Sequence, residues 1–292
     1  MPEMPLLLRS VLYMPGSNAR AIAKARTLDA DAVVMDLEDA VAPEAKAEAR
    51  KLIAEALHEG GFGSRYRVVR INALSTEWGA DDIASMKGVP LDAILAPKVC
   101  SAADVARLSV AMRDAAFGPE VALWAMIETP EAILKLSEIA AAAKDSPLAC
   151  FVLGLNDLAK DTGIAQLPGR AAFQPVLTMS VIAARAHGLA VIDGVCNALD
   201  DEARLVAECE QARDGGFDGK TLIHPKQVEP ANRVFAPTED DVAEARAIVD
   251  AFADPANAGE GALRVNGKMA ERLHLLQAEK CLLRAQVIAD RR

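Results

Sequence analysis

The 292-residue sequence lacks several patterns that mark common functional classes. No CxxC pair occurs, and the five cysteines are odd in number and far apart, which argues against a disulfide framework or a structural zinc site. No lysine- and arginine-rich run is present to follow a nucleic-acid backbone, and the formal net charge is −10. From the charge we expect no nucleic-acid partner. From the unpaired cysteines we expect the reducing cytoplasm as the location.

Long apolar segments and targeting signals are missing as well. No apolar run approaches the roughly 18 residues that a membrane span needs. The N-terminus, MPEMPLLLRS, lacks a basic region followed by an apolar stretch and a cleavage site. There is no GxSxG elbow of a serine hydrolase, and His224 is interpreted as a structural residue. The sequence predicts a soluble protein without a membrane partner.

Hydrophobic residues make up 52% of the chain and recur as short apolar runs, each followed by a helical pattern. This alternation, about every 30 residues up to roughly residue 235, predicts parallel strands joined by crossover helices. The predicted strands span residues 10–14, 32–37, 66–71, 93–99, 122–128, 150–155, 190–195 and 219–224. Eight such strands favour an α/β fold of the (β/α)₈ TIM barrel type, and an open doubly wound sheet is the alternative.

The pattern changes after residue 235, so we predict a barrel domain at 1–235 and a C-terminal helical extension at 236–292. The extension is predicted to contain helices at 238–253 and 268–290, separated by a loop. Its last segment is apolar enough to need a surface to pack against. We expect that surface on a neighbouring subunit.

Polar residues follow several of the predicted strands. In chain order they are Asp36, Glu38, Asp39, Arg70, Asn72, Lys98, Glu128, Asn156, Asp157 and Asp193. The C-terminal ends of barrel strands meet at one rim, where the active sites of such barrels lie. One charged residue there is usually a salt bridge or a cap, but carboxylates gathered together need a cation or donors to compensate them. The sequence therefore predicts a functional site at this rim.

Glu128 and Asp157 are the predicted metal ligands. They follow adjacent strands, and Mg²⁺ is a hard cation that binds a few carboxylates while keeping positions for substrate oxygens. Arg70 is predicted to bind a substrate carboxylate through two N–H groups of its guanidinium. Asp36, Glu38 and Asp39 are expected to hold metal-bound waters or to orient Arg70. An outer-sphere or helix-capping role is as compatible with their positions as direct binding of the metal.

The loop after the first predicted strand contains Pro15 and Gly16 and leads into a helix that carries Arg20 and Lys24. A helix N-terminus with nearby cations is suited to phosphate groups, although basic residues on surface helices are common. We predict this loop and helix as a binding segment for a phosphate-bearing ligand.

Seven segments, in consistent order, resemble the citrate lyase β-subunit-like family within the HpcH/HpaI aldolase group, which includes malyl-CoA, citramalyl-CoA and citryl lyases. They are RSVLYMPGSNARAIAKA (9–25), VVMDLEDAVAPEAKAEAR (33–50), VVRINA (68–73), LAPKV (95–99), AMIETPEAI (125–133), VLGLNDLAKDTG (152–163) and GKTLIHPKQV (219–228). The resemblance implies a (β/α)₈ barrel with C-terminal helices, often assembled as a homotrimer or hexamer. It also implies Mg²⁺, with Mn²⁺ as an alternative, and small-molecule CoA thioester and 2-keto acid substrates, with CoA contacted by Arg20 and Lys24.

By the same resemblance, Glu128 and Asp157 bind Mg²⁺, and Arg70 holds the keto-acid part of the substrate. Lyases of this family carry an aspartate in a C-terminal GKMID-type segment, which serves as the acid/base in a neighbouring subunit's site. This chain has GKMAE, which places Glu271 at that position. A glutamate is one methylene longer, enough to displace the proton-transfer point by about an ångström.

The predicted function is Mg²⁺-dependent cleavage or formation of a C–C bond in a 3-hydroxyacyl-CoA such as malyl-CoA or citramalyl-CoA, giving a 2-keto acid and acetyl-CoA. The metal would lower the pKa of the substrate hydroxyl. Two alternatives stay open: a malyl-CoA thioesterase that releases malate and CoA, and a citryl-carrier lyase subunit of a larger complex. A non-catalytic barrel is disfavoured because Glu128, Asp157 and Arg70 are all present.

Overall fold

The computed structural model describes residues 6–291, in which eight parallel strands close into a barrel. Neighbouring strands pair in chain order, and the first strand also pairs with the eighth. The strands are β1 Ser10–Pro15, β2 Ala32–Asp36, β3 Tyr66–Arg70, β4 Ala93–Ala96, β5 Ala122–Ile127, β6 Leu148–Leu153, β7 Ala190–Asp193 and β8 Gly219–Leu222. The eight predicted strands and the closed barrel are confirmed.

Alternate residues of these strands face the inside of the barrel. Val34, Val68, Leu95 and Trp124 belong to one buried cluster that fills the interior. The ring of Trp124 stacks on that of Tyr66, with the centroids 5.5 Å apart. The intervening residues belong to a second cluster shared with the surrounding helices. Because both faces of each strand are covered, several strands, such as β2 and β5, are apolar along nearly their whole length.

Helices follow the strands and cover the outside of the barrel. They are α1 Ala19–Ala25, α2 Lys46–Glu59, α3 Gly79–Ser85, α4 Ala102–Asp114, α5 Pro130–Leu134, α6 Leu136–Ala141, α7 Leu155–Thr162, α8 Gln174–Ala186, α9 Glu202–Asp214 and α10 Val228–Phe235. Side chains cap several of them; Thr129, for example, accepts a hydrogen bond from the N–H of Ala132 at the start of α5. Within residues 6–291, no helix combines the length and the apolar character that crossing a membrane requires.

Asp193 ends β7, but its carboxylate lies on the outer face of the barrel, since its neighbour Ile192 belongs to the interior cluster. Asp193 forms ion pairs with Arg170 at 2.7 Å and with Lys220 at 2.6 Å. Lys220 also contacts Glu208 of α9 at 3.2 Å. These buried charges join β7 and β8 to α9. The inclusion of Asp193 among the polar residues of the rim is therefore wrong.

The chain divides into two compact units: Leu8–Phe235, which contains the barrel, and a second unit whose described residues are 6–7 and 236–291. The second unit contains α11 Glu239–Ala253, β9 Ala262–Val265, β10 Lys268–Glu271 and α12 Arg272–Asp290. Helix α11 begins with a capping box, in which Thr238 and Asp241 each satisfy a backbone N–H of the other. This helix coincides with the one predicted at 238–253.

Strands β9 and β10 form an antiparallel hairpin where a loop and the start of a helix are expected from the sequence. Asn266 and Gly267 make its two-residue turn, with φ values of 49° and 82°. Left-handed conformations at both positions are typical of hairpin turns, and Asn-Gly adopts them readily. The helix predicted at 268–290 therefore begins only at Arg272.

Candidate active site

Asp36 and Arg70 lie side by side at the ends of β2 and β3, where the strand register pairs them. Asp36 accepts hydrogen bonds from Nε and Nη2 of Arg70, both at 2.6 Å. It also accepts from the backbone N–H groups of Glu38 at 2.9 Å and Ala40 at 3.1 Å. The carboxylate is thus occupied in holding Arg70 and the loop after β2. Of the roles predicted for Asp36, this geometry favours the one in which Asp36 orients Arg70.

The guanidinium group of Arg70 is enclosed by acidic and aromatic side chains. Its Nη1 lies 2.7 Å from Glu38 and 3.9 Å from Asp39, and its Cζ lies 5.0 Å from the centroid of the Tyr13 ring. Burial lowers the pKa of Arg70, but the charge of Asp36 and the hydrogen bonds to it outweigh burial, so the pKa lies well above its usual value. Arg70 stays charged, and Nη1 is the edge that Asp36 does not occupy.

Glu38 is a partly buried carboxyl group whose pKa is raised from 4.5 to about 8. Burial is the largest cause; Arg70 opposes it, and the charges of Glu128, Asp39 and Asp36 raise the pKa further. Oε2 is close to Arg70 but is not aligned for a hydrogen bond. Glu38 therefore holds a proton at neutral pH and can exchange it in the pH range where general acids and bases are most effective.

The two predicted metal ligands face one point. Glu128 directly follows β5, and Asp157 lies in the first turn of α7 after β6. The ammonium group of Lys98 lies between them, 2.7 Å from Asp157 Oδ1 and 3.6 Å from Glu128 Oε1. The backbone N–H of Lys98 also donates to Glu128 Oε1 at 2.7 Å. The carboxylates are thus arranged around a position that holds a positive charge.

Burial and charge act differently on the three side chains of this group. Glu128 is only 1% exposed, and its pKa is raised by burial, with Lys98 opposing. The side chains of Lys98 and Asp157 are 38% and 26% exposed. Burial lowers the pKa of Lys98, but the hydrogen bond with Asp157 and the charge of Glu128 together raise it by more. Lys98 is therefore protonated, and solvent reaches the group from the side of Asp157 and Lys98.

Glycines allow the loops of the rim to approach these carboxylates closely. A Cβ atom at Gly154 would lie 2.5 Å from both Cβ and Oε2 of Glu128. A larger residue would displace Glu128 or the loop that carries Asp157. Gly16 has a similar position after β1, since its N–H donates to the backbone carbonyl of Asp36 at 2.8 Å and an added Cβ would lie 2.5 Å from that oxygen.

The donor set fits a hard divalent cation. Glu128 and Asp157 supply two carboxylates, and the described part of the chain contains no group of three or more His, Cys, Asp or Glu side chains that could hold a metal. Mg²⁺ is commonly bound through one or two carboxylates and keeps several waters, whereas structural zinc takes four protein ligands. These residues fit magnesium or manganese, with further positions for water and substrate oxygens.

Pro15 ends β1 and pairs in register with Asp36, so it lies at the rim beside the site. Arg20 and Lys24 are exposed on α1. This helix has seven residues, and the side chain of Asn18 already accepts a hydrogen bond at its N-terminus. Contact of Arg20 and Lys24 with CoA stays a prediction.

Glu271 is the last residue of β10 and immediately precedes α12. Its exposed side chain accepts a hydrogen bond from the first turn of α12, and its own N–H donates to Nδ1 of His274 at 2.9 Å. Both contacts cap the helix. The acid/base role of Glu271 stays a prediction.

Two residues of the site have no role assigned from the sequence. The sequence places Lys98 at a strand end without indicating a role, and its left-handed φ of 54° is uncommon for a non-glycine residue. Tyr13 lies against Arg70, and its hydroxyl is 3.9 Å from the sulfur of Met126. The sequence contains a signal for Tyr13. It lies two residues after Val11 on the same strand, and residues two apart face the same side, here the interior of the barrel.

Comparison with known proteins extends over nearly the whole chain. The family described as HpcH/HpaI aldolase/citrate lyase matches residues 9–225. A (3S)-malyl-CoA thioesterase from Cereibacter sphaeroides is 47% identical over 281 residues, covering 96% of this chain and 95% of the relative. Citrate lyase subunit beta from Leuconostoc mesenteroides subsp. cremoris is 34% identical over 281 residues, covering 94% of this chain and 92% of the relative.

Solved structures show the same fold. CitE from Mycobacterium tuberculosis, in complex with magnesium, acetoacetate and coenzyme A, matches with a TM-score of 0.76 at 29% identity, covering 95% of this chain and 97% of that chain. A citrate lyase beta subunit from M. tuberculosis, complexed with oxaloacetate and magnesium, matches with a TM-score of 0.67 at 30% identity, covering 79% of this chain and 99% of that chain. The barrel is thus similar to barrels that bind magnesium together with these acids.

Proposed function

Because the chain belongs to the HpcH/HpaI aldolase/citrate lyase family, we propose that it is a Mg²⁺-dependent enzyme that hydrolyses (3S)-malyl-CoA to malate and CoA. The observation that carries the proposal is the convergence of Glu128 and Asp157 on one cation position. The thioesterase relative, 47% identical over nearly its full length, favours hydrolysis as the outcome. Of the two reactions predicted from the sequence, this relative favours thioester hydrolysis over C–C cleavage.

Glu128 and Asp157 would hold the ion at the rim of the barrel. A bound Mg²⁺ supplies Lewis acidity and fixes the positions of substrate oxygens. Malyl-CoA carries a hydroxyl and a carboxylate on the same carbon, so one oxygen of each is within reach of a single cation. Since the chain provides two ligands, positions are left for these substrate oxygens.

Arg70 is placed to receive the substrate carboxylate through Nη1. Its Nε and Nη2 are bound to Asp36, which holds the guanidinium group in one orientation. Because Glu38 holds a proton at neutral pH, its contact with Nη1 adds no negative charge. An anionic group of the substrate can therefore bind at this edge with a charge-assisted hydrogen bond.

Hydrolysis adds water across the thioester. The water oxygen bonds to the carbonyl carbon, the C–S bond breaks, and CoA leaves as the thiol after taking up a proton. Glu38 is suited to exchange this proton, because its pKa of about 8 is close to neutrality. Glu271 of a neighbouring subunit is the second candidate for proton transfer.

Cleavage of malyl-CoA to glyoxylate and acetyl-CoA is a second candidate function. The citrate lyase subunit beta relative and the CitE complex with magnesium, acetoacetate and coenzyme A favour it. In this reaction the substrate hydroxyl loses its proton to Glu271 of a neighbouring subunit, the neighbouring C–C bond breaks, and the thioester carbonyl accepts the electron pair as an enolate. Glu38 then gives its proton to the enolate carbon, which yields acetyl-CoA. The same two carboxylates and Arg70 would position the substrate.

Product identification separates these reactions. The purified chain is incubated with (3S)-malyl-CoA and Mg²⁺, and the acids and CoA species are resolved by liquid chromatography and mass spectrometry. Malate with free CoA supports hydrolysis, whereas glyoxylate with acetyl-CoA replaces hydrolysis by cleavage. Turnover of a free CoA ester also argues against a lyase subunit that requires a carrier protein.

Two glutamate variants control this experiment. Glu128→Gln should abolish the Mg²⁺-dependent reaction because it removes the charge of one ligand. Glu131→Gln changes an exposed carboxylate on α5 and should leave the rate unchanged. Full activity in Glu128→Gln would contradict the proposal.

A further inference from the structure

Lys98 occupies the point to which the two proposed metal ligands are directed. Its ammonium group lies 2.7 Å from Asp157 and 3.6 Å from Glu128. We propose that Lys98 is an internal counter-cation that occupies the divalent-cation position in the metal-free protein and is displaced when the ion binds. This inference rests on the proposed function for the identity of the two ligands.

The loop after β4 is built to bring Lys98 to this position. Its left-handed backbone, with φ of 54°, persists in a non-glycine residue only where the surroundings hold it. Two contacts hold it here: the backbone N–H donates to Glu128 at 2.7 Å, and the ammonium group reaches Asp157. The main chain and the side chain of Lys98 therefore contact the same pair of carboxylates.

The charge of Lys98 offsets part of the charge of the carboxylate pair without neutralising it. Glu128 is 1% exposed, so water does little to screen it from Asp157. One ammonium group provides a single positive charge against two negative charges. The group therefore remains net negative and continues to attract a divalent ion.

The ammonium group and a divalent ion would compete for Asp157 Oδ1. Mg²⁺ binds carboxylate oxygens at about 2.1 Å, so an ion on Asp157 Oδ1 would lie less than about 5 Å from the nitrogen that is 2.7 Å from the same oxygen. Two cations at that separation repel one another. The side chain of Lys98 is 38% exposed and is therefore able to move away.

A cavity beside Lys98 provides space for the displaced side chain. It measures about 250 Å³, and its lining includes Lys98 itself, the apolar Leu74 and Val99, and the charged Asp104 and Arg107. Asp104 forms an ion pair with Arg107 at its wall. A lysine that rotates into this cavity keeps its hydrocarbon stem against apolar side chains while its ammonium group approaches Asp104.

Lys98→Met tests the proposal, because it keeps an unbranched side chain only one atom shorter and the backbone contact with Glu128 but removes the charge. Mn²⁺ binding to the full chain is measured by isothermal titration calorimetry at fixed pH and ionic strength. Loss of the competing cation is expected to tighten the Kd on the order of fivefold. Lys135→Met is the matched control, since Lys135 is 39% exposed and pairs with Glu131 at 2.7 Å; its Kd should equal that of the wild type.

A Kd for Lys98→Met that is less than twofold tighter than the wild-type value, or weaker, overturns the proposal. If this variant does not fold, the position of Lys98 in wild-type crystals soaked in MnCl₂ tests the proposal instead. Movement of the Lys98 ammonium group out of hydrogen-bond distance of Asp157 supports displacement, and an unmoved group beside bound Mn²⁺ overturns it.

Two results of the Mn²⁺ titration separate the role of Lys98 from the proposed function. A wild-type chain that binds no Mn²⁺ refutes both. Mn²⁺ binding that is lost in Glu128→Gln but unchanged in Lys98→Met refutes only the role of Lys98.

Discussion

Replacing Glu38 by glutamine should change how the stability of the protein depends on pH. In the folded chain the pKa of Glu38 is raised from 4.5 to about 8, and burial is the main cause. Between these values the folded state keeps a proton that the unfolded chain has released. Folding stability therefore falls as the pH rises through this interval, and the loss is complete above the folded pKa.

The size of this effect follows from proton linkage. One retained proton changes the free energy of unfolding by about 1.4 kcal/mol per pH unit. From 4.5 to about 8 the ceiling is roughly 5 kcal/mol, and the side chain is only 12% exposed, so solvent screens little of it. Glu38→Gln keeps the size of the side chain and removes its ionisation. Its stability relative to the wild type should therefore rise between about pH 5 and pH 8.

Urea unfolding followed by circular dichroism, at equal protein concentration and several pH values, measures this difference. Glu44→Gln, which changes an exposed carboxyl group, is the matched control and should show no such trend. A stability difference between Glu38→Gln and the wild type that stays constant across the pH range would refute the raised pKa. It would also remove the reason for assigning proton exchange to Glu38.

Three further outcomes are expected. Asp36→Asn should lower kcat/KM at least tenfold, because an amide N–H would face Arg70 and one charge-assisted hydrogen bond would be lost. Wild-type values of kcat/KM would contradict the orienting role of Asp36. Gly154→Ala should destabilise the protein by roughly 1–3 kcal/mol in urea unfolding and weaken Mn²⁺ binding in calorimetry, since the added Cβ would lie 2.5 Å from Glu128; unchanged values of both would argue against this close approach. The chain should form a homotrimer or hexamer through residues 236–292, measured by light scattering after gel filtration, and a fully active monomer would exclude that assembly.

The barrel strands could be predicted because they are buried on both faces. Every residue of β2 and nearly every residue of β5 is buried, so each strand forms a short continuous apolar run. The hairpin of β9 and β10 has no such run, because most of its side chains are exposed. Only the Asn266-Gly267 pair indicated it.

The members of the site could be predicted only in part, because the direction of a side chain depends on its parity along the strand. Asp36 and Arg70 have the parity of the interior residues and meet at the rim. Asp193 has the opposite parity and pairs outward with Lys220. A shift of one residue reverses the face, and strands that are apolar on both faces show no alternation that would fix it.

The position of Lys98 depends on a left-handed backbone conformation and on contacts with residues that are distant in sequence. Neither the residue type nor its place after β4 specifies that conformation. The tertiary contact with Glu128 and Asp157 determines where its charge lies. For this reason the two converging carboxylates could be singled out from the sequence, whereas the lysine between them could not, and their binding of a metal stays a proposal.

An anomalous difference map from crystals soaked in MnCl₂ tests the central claim most directly. One peak per chain, about 2.0–2.2 Å from a carboxylate oxygen of Glu128 and from one of Asp157, is the predicted result. A peak bound by other residues, or Mn²⁺-dependent turnover in crystals whose map shows no ion between these two side chains, would contradict the account.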